Sequence, residues 1–170
     1  MQIRTAARSD LSSLVAIYNQ AVEAGQRTAD IDPVTVEERQ PWFEAHSPDK
    51  YPLLVAERDG KVLGYATLSP YRPGRRAMRF TAEISYYVDF ASHRQGIASR
   101  LVQHALDLCP ALRIKTVFAI ILDTNTASIR LLQTFGFRQW GHLPRVADFD
   151  GVEVGHVYYG LRIGGTEEER

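Results

Sequence analysis

The sequence predicts an α/β fold, a mixed sheet with helices on both of its faces. Three observations lead to it. Apolar residues switch between helical spacing and strand-like runs in the order β-α-α-β-β-β-α-β-α-β-β. Two Asp-Gly pairs, Asp59-Gly60 and Asp150-Gly151, each lie between strand-like runs, as two-residue hairpin turns do. Lastly, the run 80–90 is followed by a glycine, an apolar helix and a second apolar run, the pattern of a right-handed parallel crossover.

The elements follow in chain order. Gln2–Thr5 reads as a short first strand. Ser9 or Asp10 can cap a helix whose apolar positions Leu11, Leu14, Val15, Ile17, Tyr18 and Val22 share one face and end at Gly25. Thr35-Val-Glu-Glu38 is a capping box for a second helix carrying Trp42 and Phe43, with Pro41 predicting a kink or a short first turn. Strands over 52–58 and 61–69 flank Asp59-Gly60. A basic loop, PGRRAMR, leads into the run FTAEISYYVDF. The helix 96–109 stops before Pro110. KTVFAIIL, 115–122, is apolar throughout and is expected to be central and covered on both faces. SIRLLQTF forms a helix closed by Gly136. Two last strands surround Asp150-Gly151.

At 170 residues the chain is expected to form one domain over 1–163, followed by a polar tail over 164–170. A chain of this length buries about two thirds of its unfolded surface. Twenty basic and twenty acidic side chains cancel, so no global field favours nucleic acid or an anionic membrane, and any anion site has to be local. The opening MQIRTAARSD lacks an apolar signal core, and no apolar run reaches membrane-spanning length, so cytoplasm is the expected location. Cys109, the single cysteine, excludes an internal disulfide. Late in an apolar helix, it reads as a packed side chain in preference to a reactive thiol.

The stretch SHRQGIASRL, 92–101, holds the most chemistry. It leaves a strand through a basic pair, turns on Gly96 and begins a helix with small residues Ala98 and Ser99. A helix start presents unpaired backbone N–H groups with the positive end of the helix dipole behind them, and glycine lets anion oxygens approach. These residues fit a phosphate cradle, and equally an ordinary helix start with a glycine in the preceding loop. A Walker loop and a dinucleotide fingerprint are both excluded, for want of GK[ST] and of further glycines.

HRQGIA (93–98), then Asn125-Thr-Ala-Ser128, then Phe135-Gly-Phe137, resembles the GNAT superfamily of N-acetyltransferases. IYNQAV, TADIDPVTVEERQPWF, GYATLSPYRPGRRAMRFTAEISYYVD and FRQWGHLPRVADFDG are similar to the running pattern of its phosphinothricin and methionine sulfoximine acetyltransferase group, over residues 2–162. The resemblance implies the GNAT-like acyl-CoA N-acyltransferase fold, with acetyl-CoA as co-substrate and no metal. The pyrophosphate would rest on the backbone of His93, Arg94, Gln95 and Gly96 and of Ile97, Ala98 and Ser99. The pantetheine arm would run along Tyr86, Tyr87 and Val88, with Asn125 and Ser128 assisting. Asn125 could instead simply cap the following helix. The resemblance also implies Glu83 as general base for the attacking amine; the other reading is a carboxylate paired with Arg76 or Arg79. The backbone N–H of about Val88 is the natural donor to the tetrahedral oxyanion.

Three departures from the pattern are visible. His93 stands where Gln or Arg is usual, which predicts weaker donor binding. Leu132 stands where many relatives carry a tyrosine acid for the coenzyme thiolate. Val154-Gly155 occupies the place of a late aromatic or His followed by Asp.

Arg72, Arg75, Arg76 and Arg79 form the one concentrated positive field, suited to a carboxylate or simply solvated. With Thr28 and Thr81 they are the candidate acceptor contacts. The implied acceptor is a small-molecule amine with an α-carboxylate, of the phosphinothricin, methionine sulfoximine or methionine sulfone type. A homodimer using Trp42, Phe43 or Trp140 is the implied assembly. Two further readings share the donor site: a peptide or protein N-terminal acetyltransferase, and a coenzyme-A-binding sensor without turnover. A metal enzyme is disfavoured, because His46, His93, His104, His142 and His156 do not fall at ligand spacing.

Overall fold

The computed structural model describes residues 1–164; of the expected tail, all but Gly164 lies outside the described residues. Seven strands, β1 (Gln2–Thr5), β2 (Leu53–Arg58), β3 (Lys61–Pro70), β4 (Thr81–Val88), β5 (Thr116–Leu122), β6 (Arg138–Phe149) and β7 (Val152–Arg162), form one sheet in the order β1-β2-β3-β4-β5-β7-β6. Every neighbouring pair is antiparallel except β4–β5, the predicted crossover. Four α-helices join them: α1 (Leu11–Glu23), α2 (Val36–Glu44), α3 (Ile97–Leu108) and α4 (Thr126–Thr134).

Alternation along the strands divides the core into two layers. Leu101, Val102 and Ala105 of α3 and Leu132 of α4 pack with Ala66, Leu68, Ala82 and Ile84 on one face of the sheet. Leu14 and Ile17 of α1 pack with Val55, Val62 and Tyr65 on the other, and Trp42 and Phe43 of α2 lie against that layer. Burying a side chain of this size contributes about 1.5–3 kcal/mol. Trp42 and Phe43 are therefore part of the packing, whereas Trp140 is 43% exposed.

The local signals act as their chemistry requires. Asp59 and Gly60 have φ of 53° and 76°, and Asp150 and Gly151 of 51° and 96°. Both pairs thus take the left-handed pair of conformations that a tight hairpin turn needs. Thr35 Oγ1 accepts from Glu38 N at 3.2 Å while Glu38 Oε2 accepts from Thr35 N at 2.8 Å, closing the capping box. Pro41 sits inside α2 without dividing it.

Two expectations change. Asp10 heads α1 but does not cap it with its side chain, because its carboxylate accepts from Ala7 N and from Arg4, each at 2.7 Å. β5 is central, yet Phe118, Ile120 and Ile121 are only half-buried. The sheet opens beside them, so their cover is incomplete. Cys109 is fully buried, donates to Ala105 O at 3.3 Å, and has its thiol pushed up to about 12 by burial, which leaves it inert at neutral pH.

Candidate functional site

β4 and β5 pair only at Thr81–Thr116, Ala82–Val117 and Glu83–Phe118. Beyond that point β4 remains with β3 as far as Val88, opposite Gly64, and β5 remains with β7 as far as Leu122, opposite His156. The sheet splits at the carboxyl ends of its parallel pair, where open α/β sheets place their ligands. The gap is a cleft of about 890 Å³ that passes from one face of the sheet to the other. Close approach of β3 keeps β4 on its side of the gap: a Cβ on Gly64 would lie 2.8 Å from the Tyr87 carbonyl oxygen.

One end of the cleft is the turn 92–99. Asp89, buried at its base, accepts from Gln20 Nε2 at 3.1 Å, from Lys61 Nζ at 3.3 Å and from Ser92 Oγ at 3.2 Å. These bonds hold its carboxyl below the usual range, the Gln20 bond contributing most. Gln20 Oε1 also accepts from Phe90 N at 2.8 Å. The turn is thereby tied to α1 and β3.

Arg94 and Gly96 both have left-handed φ, 59° and 73°. Such a turn curls successive N–H groups into a concave nest for anions. Among the described residues, the N–H groups of 94–99 donate to no protein acceptor. A Cβ on Gly96 would meet nothing within 4 Å, so the space in front of the turn is open. His93 Nε2 contacts Val88 O at 3.0 Å and its ring lies 4.7 Å from Phe90. His93, Arg94, Gly96, Ile97, Ala98 and Ser99 all border the cleft. Gln95 does not, because its side-chain oxygen accepts from Arg58 on β2 at 3.1 Å.

The walls come from β4 and α4. Tyr86, Tyr87 and Val88 line one side, Asn125 and Ser128 the other. Asn125 Oδ1 accepts from Ser128 N at 3.3 Å, which caps α4; among the described residues its amide nitrogen has no protein acceptor, and the residue borders the cleft. Capping thus occupies only the side-chain oxygen. Tyr86 and Val88 face the α3–α4 layer and Tyr87 the α1–α2 layer.

On the α1–α2 face the cleft meets Glu83, Ser85 and the loop residues Arg27, Thr28 and Ala29. Burial alone pushes the Glu83 carboxyl up, and no arginine among the described residues pairs with it. Arg79 instead donates to Arg76 O at 3.0 Å and lies 4.2 Å from the Phe80 ring. Arg72, Arg75, Arg76 and Arg79 are exposed and, like Thr81, do not border the cleft. The positive side chain that does border it on this face is Arg27, which the sequence did not single out. Behind it, Thr28 Oγ1 lies 2.8 Å from Tyr18 OH, Tyr18 also bonds Asp30, and Arg39 sits 4.1 Å over the Tyr18 ring. Among the described residues, no group of three or more His, Cys, Asp or Glu could hold a metal ion.

Comparison with known proteins agrees with this geometry. A sequence model of the acetyltransferase (GNAT) family matches residues 14–137. An L-methionine sulfoximine/L-methionine sulfone acetyltransferase of Pseudomonas paraeruginosa is 38% identical over 96% of this chain and 95% of its own length. The crystal structure of a GNAT superfamily phosphinothricin acetyltransferase from Sinorhizobium meliloti in complex with AcCoA superposes with a TM-score of 0.90 at 28% identity, covering 99% of this chain and 91% of that one. A ribosomal-protein-alanine N-acetyltransferase from Brucella melitensis superposes equally well, with a TM-score of 0.90 at 33% identity and coverage of 95% and 99%.

Proposed function

This chain belongs to the acetyltransferase (GNAT) family, and from that premise we propose that it moves an acetyl group from acetyl-CoA to the α-amine of a small amino acid or analogue. The observation that carries this reading is a cleft crossing the sheet, with a backbone anion cradle on one side and, on the other, a half-buried carboxyl that pairs with no cation among the described residues. In this reading the pyrophosphate rests on the N–H groups of residues 94–99, which supply donors and the helix dipole without a flexible side chain. Pantetheine lies along Tyr86–Val88, and Asn125 donates its amide to one of its carbonyls.

The acceptor enters from the α1–α2 face. Its carboxylate meets Arg27 and Thr28, and Glu83 takes the ammonium proton, directly or through one water. An ammonium ion has no lone pair with which to attack, so some base has to act before the nitrogen–carbon bond forms. Burial moves Glu83 toward the amine's range and makes it a stronger base than an exposed glutamate. A homodimer formed through the exposed apolar side chains Trp140, Leu143 and Val146 of β6 is part of the proposal. The same acceptor face also suits a second reading, a peptide N-terminus, because the basic loop 72–79 does not border the mouth and need not move aside for a chain.

One assay separates these readings. The protein is incubated with acetyl-CoA, a thiol reagent, the twenty amino acids, phosphinothricin, methionine sulfoximine, methionine sulfone and a peptide beginning with alanine. Thiol release with the free amino acids or their analogues is expected. Release with the peptide alone would establish the second reading, and binding of acetyl-CoA without release to any acceptor would leave a coenzyme-A sensor.

A further inference from the structure

Leu132 is fully buried in the core and offers no proton to the leaving coenzyme. One turn earlier on α4, however, Ser128 lies with its hydroxyl 2.9 Å from the hydroxyl of Tyr86, which reaches across the cleft from β4. Both side chains border the cleft. Two hydroxyls in mutual contact use one hydrogen between them, and the second remains available. Among the described residues, the only other acceptor within reach is the Ser128 carbonyl oxygen, 3.5 Å from Tyr86 OH, too long for a strong bond. Tyr86 stands three positions after Glu83 on the same strand but faces the opposite layer. A base for the incoming amine and a hydrogen donor thus flank the opening from its two faces.

We propose that the Tyr86–Ser128 hydroxyl pair is a thiolate-binding site that receives the coenzyme sulfur as it departs. This rests on the acetyl-transfer reading above. The amine nitrogen bonds to the acetyl carbon, the carbon–sulfur bond breaks, and its electron pair leaves on sulfur. Glu83 has by then passed the ammonium proton to solvent; it takes the second proton that nitrogen loses as the amide forms and passes that one on as well. Sulfur accepts a hydrogen bond from the pair, leaves as thiolate and takes its proton from solvent on release.

Burial pushes Tyr86 up to about 12, offset in part by the Ser128 bond, whereas a free thiol titrates at about 8.5. The tyrosine therefore keeps its own proton throughout the working range. It stabilises the thiolate without transferring that proton, and its contribution does not vary with pH near neutrality.

The test uses Tyr86→Phe, which removes one oxygen and keeps the ring. Single-turnover acetyl transfer should fall roughly 10²-fold, the scale of a donor lost from a developing anion, with the acetyl-CoA Kd within twofold of wild type. The loss should be the same from pH 6.5 to 9.5. Ser128→Ala should show a smaller loss of the same kind. An independent readout is the ultraviolet absorbance of coenzyme A thiolate bound to the protein. The bound thiol should titrate about one pH unit higher, or more, in Tyr86→Phe than in wild type, a tenfold loss of thiolate stabilisation. Equal thiol titrations, or transfer within twofold of wild type, would overturn the proposal. If wild type binds coenzyme A but transfers no acetyl group, the acetyl-transfer reading fails by itself, and the thiol titration still decides whether Tyr86 holds a thiolate. Failure to bind coenzyme A overturns both.

Discussion

Glu83 carries a carboxyl group that burial pushes toward its neutral form, with no hydrogen bond or cation among the described residues to offset the cost. A group kept in that state without a structural partner is a candidate for chemistry. Glu83→Gln should lower kcat by roughly 10²–10⁴-fold with the acetyl-CoA Kd nearly unchanged. In wild type the rate should rise with pH as the carboxyl ionises, and the variant should lack that limb. The gap between them should narrow toward the acceptor amine's own pKa, because solvent then removes the proton unaided. Rates from about pH 4.5 to 9.5 decide the matter; parallel profiles displaced only in KM would end the general-base role. That Gly96 and Asn125 border one cleft was legible in the sequence because each belongs to a spaced pattern, and Glu83 was placed there by the family resemblance alone. Of the expected acceptor contacts, only Thr28 borders the cleft. A run of arginines records charge but not direction, and Arg72–Arg79 turn to solvent while the isolated Arg27 lines the cleft. The Tyr86–Ser128 contact joins residues 42 positions apart, which no local pattern reports.

At the scale of elements, the cradle depends on one conformation at the start of α3. Gly96 has a φ of 73°, and a Cβ there would enter open space in front of the turn. Gly96→Val therefore strains the backbone by about 1–3 kcal/mol and also fills the volume that phosphate oxygens would use. For wild type, acetyl-CoA at a hundredfold excess over its Kd should stabilise the fold by about 2.7 kcal/mol and raise the melting temperature accordingly. The variant should show no such shift while keeping a native circular dichroism spectrum. Normal binding by Gly96→Val would refute the backbone cradle. The order and kind of elements were readable because the two Asp-Gly turns and the period changes are local signals. The register of β4 against β5 was not, since pairing stops at Glu83–Phe118 through the paths of β3 and β7 on either side. That tertiary divergence also left β5 less covered than its apolar sequence suggested.

For the molecule as a whole, the cleft divides the sheet into a half built on β1–β4 and a half built on β5, β7 and β6, and the outer edge of the first half is fastened by charge. Arg4 on β1 donates to Asp10 at 2.7 and 3.0 Å and to Glu57 on β2 at 2.6 Å. The Arg4 bond is the largest reason that Asp10 titrates below its ordinary value. A carboxyl whose folded pKa is depressed contributes stability above its unfolded pKa, about 3.9, and loses it as pH falls through the folded value. His46 adds a second stage. It is held between the Trp42 carbonyl at 2.8 Å and Ser69 Oγ at 3.1 Å, and burial lowers its pKa, so its neutral form is the folded one. Below about 6.5 the unfolded chain binds a proton that the folded chain resists, and stability falls. Glu83 works with the opposite sign, since its raised pKa makes acid favour the folded state. Urea midpoints measured from pH 8 to 3 should therefore decline in two stages, one beginning near 6.5 and a steeper one below about 4. His46→Gln should remove the first stage. Asp10→Asn should lower the midpoint at pH 7 and flatten the second stage, because Asp10 is buried and its pairing with Arg4 is little screened by solvent. A variant that kept the wild-type slope below pH 4 would show that Asp89 and the other carboxyls, not the β1 edge, set the acid limit of the fold.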